Sequence, residues 1–310
     1  MSDTKNDAID QVKEKIIKES FTGEADILTR ATVGDARIYV ARTTRLVRKL
    51  SLRHHMSHLA TAALGRTVTG ALLLAATMKN EEGVGIKIAG DGPIGGITAE
   101  AQGGTARGYV GNPDVYLPPK NGHLDVGGAV GSGTISVTRY SADVRPFTGT
   151  AELVDGEIAD DLTRYLYRSE QTPSSVGLGV LVDEKGDVQA AGGWFIQALP
   201  NCSEETLIQL DKNVRNTPYV SNLIDMGFTP ERIIRMLGRD MEVEILDSYP
   251  LHFGCRCSRK RVEAVLETLP KKELNQLAKD LKTEVTCPYC NAKYEFSREE
   301  MLRLAQEAKK

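Results

Sequence analysis

The chain has 310 residues, 41% of them apolar, and a formal net charge of -3, which is enough length for two or three domains at roughly 100–200 residues each. Acids and bases are interspersed, which excludes a general nucleic-acid coat and a polyacidic tail. The opening MSDTKNDAIDQVKEKIIKES has no apolar run of the kind a secretory signal needs, so the expected compartment is the reducing cytoplasm.

In chain order, residues 1–20 form a charged N-terminal extension, with an amphipathic stretch from Ala8 to Ile17. ARIYVARTT alternates around Ile38 and Val40 and predicts a strand. From Thr44 to Met78 the period is helical and predicts two helices, in which Gly65 and Gly70 mark either a break or close packing. The apolar run Thr67 to Met78 falls short of the ~20 residues that span a bilayer and reads as a buried core helix. Three short strands follow, at Gly85–Ala89, Gly95–Ala101 and Ala106–Val110, punctuated by Asp91-Gly92-Pro93 and Gly103-Gly104. GTISVTRYS is a further strand, and EIADDLTRYLYRSEQTP a helix with Ile158, Leu162, Tyr165 and Leu166 on one face. A hairpin then turns at Glu184 to Asp187, with Gly192-Gly193 marking a bulge or a close backbone approach.

Antiparallel strands with segregated helices make the fold class α+β over residues 21–199. Residues 200–248 read as a helical linker with no strand signal as far as Asp240. Ser203 caps one of its helices, and Thr229-Pro230-Glu231 opens another. Leu210, Leu223, Ile233 and Leu237 among its apolar residues need a covering surface, on the β-rich core, on the C-terminal segment, or on both.

Residues 249–310 hold four of the five cysteines, in HFGCRCSRKR and VTCPYCNAKY. A unit this small needs metal or disulfides. Cys255, Cys257, Cys287 and Cys290 make a thiolate tetrad of the structural zinc type, with metal–sulfur bonds of about 2.3 Å. Its sulfurs would stand roughly 3.8 Å apart, against about 2.05 Å in a disulfide. The same thiols cannot do both, and oxidising one pair would leave at most two ligands. Ser297 and Glu300 predict a capping box for the last helix. The basic run Arg256, Arg259, Lys260, Arg261 either offsets the charge of a metal–thiolate centre or is a solvated face.

Four stretches in this order, GDGPIGG at Gly90–Gly96, RSEQTPSSVGLGV from Arg168, AAGGWFIQALP at Ala190–Pro200 and the terminal Cys-x-Cys…Cys-x-x-Cys, resemble the redox-regulated 33 kDa heat-shock chaperone (33 kDa chaperonin) family over about residues 20–305. The resemblance implies an α+β chaperone core, a metastable linker and a zinc redox switch. It implies a non-enzymatic, ATP-independent holdase that is inactive when reduced and holding one Zn2+ per chain. Oxidation would form the disulfides Cys255–Cys257 and Cys287–Cys290, release the zinc, unfold the linker and yield a homodimer that binds unfolded clients. Cys202, outside the tetrad, would be dispensable.

Other readings are set beside this one. GDGPIGG lacks the Lys-Ser/Thr of a phosphate-binding loop and reads as a turn. His54 and His58 stand at helical i, i+4 spacing without the adjacent Glu of a zinc protease. His252 lies close enough in sequence to stand in as a ligand. The alternative function is a zinc-ribbon RNA-binding protein, although from residue 250 onward the balance is only 13 Lys and Arg against 9 Asp and Glu. Cys287-Pro-Tyr-Cys290 also resembles a thiol oxidoreductase site, but lacks the βαβ setting of one.

Overall fold

A computed structural model describes residues 25–79, 82–141 and 145–307. The N-terminal extension read at 1–20 lies outside the described residues. The chain divides between Phe253 and Gly254.

The first unit is built on two antiparallel-rich sheets. Strands β1 (Ile27–Val33) and β2 (Ala36–Arg42) form a hairpin and are followed by helices α1 (Thr44–His54) and α2 (His58–Ala75). Next come β3 (Gly83–Gly90), β4 (Ile97–Gln102), β5 (Thr105–Val110), the short α3 (Val126–Val130), β6 (Gly133–Tyr140) and β7 (Phe147–Glu152). Helix α4 (Ala159–Ser169) then leads to the hairpin β8 (Ser174–Val182) and β9 (Val188–Ala198). After α5 (Glu204–Arg215), α6 (Val220–Asp225) and α7 (Pro230–Leu237) come β10 (Val243–Pro250) and β11 (His252–Phe253). One sheet has the order β10-β1-β2-β9-β8 and the other β11-β5-β4-β3-β6-β7.

Helix α2 lies between the two sheets, touching β8 and β9 on one side and β3, β4 and β5 on the other. By length and hydropathy it could cross a membrane, yet it is almost wholly buried inside the unit, as expected of a core helix. Gly65 and Gly70 do not break it. A Cβ at Gly70 would stand 2.6 Å from Leu162 Cδ1, so these glycines let neighbouring elements approach. The break falls instead at His55, whose left-handed φ of 51° ends α1, and at Ser57, which accepts from Ala60 N–H to cap α2.

The other face of the first sheet is covered by α5–α7. Ile38 and Val40 of β2 and Ala190, Trp194 and Ile196 of β9 point there, against Leu210, Leu223, Ile233, Ile234 and Leu237. Alternate residues Tyr39, Ala41 and Phe195 point to the α2 side, the two-residue period of a sheet buried on both faces. The linker's apolar stripe is thus seated on the β-rich core. Gly192 shows a close approach rather than a bulge: a Cβ there would collide with the Ala41 carbonyl and with Ile224. The register shift in that hairpin lies at Leu181/Val182 on β8.

The stretch read as helical linker at 200–248 ends in a strand instead, Val243–Pro250, which runs across the boundary read at 248. That strand pairs along the whole of β1, from Ile27↔Pro250 to Val33↔Val243. Leu246, Asp247 and Ser248 are exposed, while Val243 and Ile245 pack against the cluster under α5–α7 and Tyr249 against the main core, so the docking combines backbone hydrogen bonds, polar side-chain pairs and partial apolar burial. Arg30 grips Asp247 with two hydrogen bonds, one of them Nε to Oδ1 at 2.7 Å, and the Thr29 and Ser248 hydroxyls lie 2.8 Å apart.

The second unit carries α8 (Arg259–Leu266), α9 (Lys271–Leu277), the hairpin β12 (Lys282–Thr286) and β13 (Lys293–Ser297), and α10 (Arg298–Glu307). Its core is small: Leu266, Leu274, Ala278, Phe296, Met301, Leu304 and Ala305. The predicted capping box is formed, with Glu300 Oε2 accepting from Ser297 N–H at 2.8 Å and Ser297 Oγ accepting from Glu300 N–H at 3.3 Å.

Candidate metal centre

The β12–β13 hairpin closes through its first cysteine. Cys287 N–H donates to Ala292 C=O at 2.9 Å, and Asn291 N–H donates back to Cys287 C=O at 2.8 Å. Asn291 adopts the left-handed φ of 55° that the turn requires. Both Cys287 and Cys290 are thereby held on one side of a tight turn and buried. The other two cysteines precede α8, where Ser258 accepts from Arg261 N–H as the N-cap. The Arg261 guanidinium donates to the Arg256 carbonyl, which pins the backbone between Cys255 and Cys257. Both of these sulfurs are half-buried.

These two half-sites converge. All four sulfurs lie within 4.8 Å of one another, with Cys255 Sγ 3.8 Å from Cys287 Sγ and Cys257 Sγ 3.3 Å from Cys290 Sγ. The spacing is far longer than a disulfide bond and close to that of four thiolates around one tetrahedral ion. Burial pushes the Cys287 and Cys290 thiols upward in pKa; Cys255 adds to the rise at Cys287, and Cys257, Cys255 and Cys287 add to it at Cys290. Crowded thiolates of this kind need a cation among them, and the donor set fits a soft, tetrahedral metal ion.

Other sequence candidates fall outside this cluster. His252 sits on β11, its Nε2 3.1 Å from Thr105 Oγ1 on β5. His54 ends α1 and His58 begins α2, so the two do not share a helix face as their spacing predicts; the turn at His55 intervenes. Cys202 precedes the Ser203 cap of α5, with its Sγ 3.7 Å from the Ser203 carbonyl. GDGPIGG is a turn, as read, with Asp91 accepting from Ser132 N–H at 2.8 Å. Arg259, counted in the basic run, is engaged in the fold: it donates to Glu300 Oε1 and to the Glu295 carbonyl, each at 2.7 Å, and lies over the Phe296 ring.

One contact to the cluster lay outside the sequence reading. Tyr294 on β13 donates its phenol O–H to Cys257 Sγ over 3.1 Å. That hydrogen bond, more than burial, pushes the phenol up to about 12, so the group is a donor throughout the neutral range. Alternation along β13 was the available signal, since Tyr294 and Phe296 both turn toward the small core.

Fold and site together define a two-unit α+β protein whose C-terminal unit gathers four cysteines into a metal-competent cluster. The family described as Hsp33 protein matches residues 26–297. The chain is 44% identical over 285 residues to the 33 kDa chaperonin of Desulforamulus reducens, covering 90% of this chain and 97% of that protein. It is 45% identical over 286 residues to the 33 kDa chaperonin of Symbiobacterium thermophilum, again covering 90% and 97%. The crystal structure of the 33 kDa chaperonin (heat shock protein 33 homolog) from Thermotoga maritima superposes with a TM-score of 0.84 at 35% identity, over 91% of this chain and 98% of that one. The chain belongs to the Hsp33 family of heat-shock chaperones.

Proposed function

We propose that this chain is a redox-regulated, ATP-independent holdase of the cytoplasm, and not an enzyme. In the reduced state Cys255, Cys257, Cys287 and Cys290 hold one Zn2+, and the chain is inactive. The ion would neutralise the crowded thiolates and tie the two half-sites together. The observation that carries the reading is the convergence of four unbonded sulfurs within 4.8 Å, in a unit whose apolar core is too small to be self-sufficient.

Oxidation is proposed to pair Cys255 with Cys257 and Cys287 with Cys290. Two disulfides consume every ligand and end zinc binding. Structural zinc contributes on the order of 10–16 kcal/mol to small domains, so the second unit unfolds, and the 200–248 linker that leads into it is released in turn. The apolar surface so exposed, on an oxidised homodimer, binds unfolding clients. Cys202 takes no part.

The test follows zinc with a chromogenic chelator during peroxide treatment at elevated temperature, while the same samples are assayed for suppressing aggregation of a thermally unfolding client. The expected result is one zinc per chain leaving as client holding appears, both reversed by thiol reduction. Zinc that stays bound, or leaves with no gain in holding, would defeat the reading.

A further inference from the structure

The hydrogen bond from Tyr294 to Cys257 links the chemistry of one thiol to a side chain that is not itself a ligand. Tyr294 is held in place by its strand: it stands opposite Val285 in the β12–β13 register and packs against the core around Phe296. Its phenol oxygen reaches Cys257 across 37 positions of sequence, so the contact is a product of the fold and not of a local turn.

We propose that Tyr294 is a positioning residue that restrains Cys257 against oxidation and thereby sets the oxidant threshold of the switch; this rests on the redox-switch reading above. Peroxide attack on a thiolate uses a sulfur lone pair. The S–O bond forms, the O–O bond breaks, and hydroxide leaves and is protonated to water. The sulfenic acid then meets a neighbouring thiol, an S–S bond forms, and a second water leaves. In sum two thiols and one hydrogen peroxide give one disulfide and two waters, with two electrons passing from sulfur to peroxide. A lone pair already engaged by a phenol O–H is less available for the first step. Metal-bound or free, Cys257 is the sulfur that the Tyr294 hydroxyl holds back.

Tyr294→Phe removes the hydroxyl and keeps the ring that packs. Full-length, reduced, zinc-loaded wild type and variant are exposed to a fixed peroxide dose. Zinc release is followed by chelator, and samples quenched early by alkylation are mapped cysteine by cysteine by mass spectrometry. Cys257 in the variant should oxidise roughly twofold to tenfold faster, the range one hydrogen bond is worth, with zinc release accelerated and the reduced protein's melting temperature unchanged. Equal acceleration at all four cysteines would mean that the tyrosine merely supports the hairpin, and no acceleration would mean that the hydrogen bond is idle; either overturns the proposal. Should Tyr294→Phe fail to hold zinc, 3-fluorotyrosine at 294, a stronger donor on the same ring, should slow oxidation at Cys257, and no slowing overturns the proposal. Because the rate at Cys257 is read independently of client binding, loss of the chaperone reading and loss of this one give different results.

Discussion

Cys287 and Cys290 are buried while Cys255 and Cys257 are half-buried, so the four thiols are not equivalent. Under the zinc proposal, replacing the enclosed Cys290 by Ser removes a soft donor from a buried position. Cys290→Ser should lower zinc affinity by at least tenfold, measured by chelator competition, and raise client holding without oxidant; wild-type affinity would count against the assigned ligand set. A second residue belongs to the first unit. Asp26, 4% exposed, accepts from Arg45 N–H at 3.1 Å and Leu46 N–H at 2.7 Å, supplying from outside the helix the cap that Thr43 does not give α1. Burial is the largest influence on its carboxyl and raises the pKa from 3.8 to about 6, against the lowering effect of those two N–H groups. The native state therefore binds this proton more tightly than the unfolded chain does. Stability from Asp26 is fully present below about pH 4 and is lost as pH rises through 6, by on the order of 3 kcal/mol. Asp26→Asn should remove that part of the pH dependence, read as denaturant midpoints at pH 4.5 and pH 7; parallel slopes in the two proteins would refute it. The tetrad was legible in the sequence because each half-site is local and its spacing is short. Asp26 and Tyr294 were not, because each acts on an element that reaches it only through the fold.

Among the elements, α5–α7 matter most to the proposed release. They sit on one face of a sheet through side chains such as Leu237, which is fully buried. Leu237→Ala should weaken that seat by about 2–5 kcal/mol. The expected outcome is faster proteolytic cleavage within 204–240 and client holding at milder oxidation than wild type needs; an unaltered cleavage rate would show that the stripe is not what secures the linker. The period of 3.6 and the cap residues Ser203 and Thr229 announced these helices correctly. Strands β1, β7 and β10 are among those missed, each for a different reason. β1 has Thr29 and Arg30 amid its apolar residues, and Thr29 is fully buried through its hydroxyl contacts to Ser248 and Glu231, so its polarity hid it. β7 is an edge strand whose side chains are half-buried or exposed, which leaves little hydrophobic alternation to read. β10 follows directly on helical sequence, and its place is fixed by a strand more than 200 residues earlier, which no local window can see.

For the whole molecule, the division between Phe253 and Gly254 separates a large core from a small one. Among the described residues the first unit has two sheets and a buried helix, and the second has a single hairpin, three helices and a small apolar core. Stripping metal from the reduced protein with a chelator should abolish the slow-exchanging amides of 254–307 and leave those of β2, α2 and β9 intact, as followed by hydrogen exchange. Continued protection in 254–307 without metal would show that the small core suffices. The pairing of β1 with β10 has a consequence for synthesis. A ribosome adding roughly 5–20 residues per second makes β1 and β2 early and reaches β10 some 10–40 seconds later. Throughout that interval the outer edge of β1 has no partner, and the helices α5–α7 that seal the adjoining face are made only near its end. The nascent chaperone thus passes through a stage in which it is itself an incomplete sheet in need of protection, and the strand that ends this stage leads on toward the thiol-bearing unit.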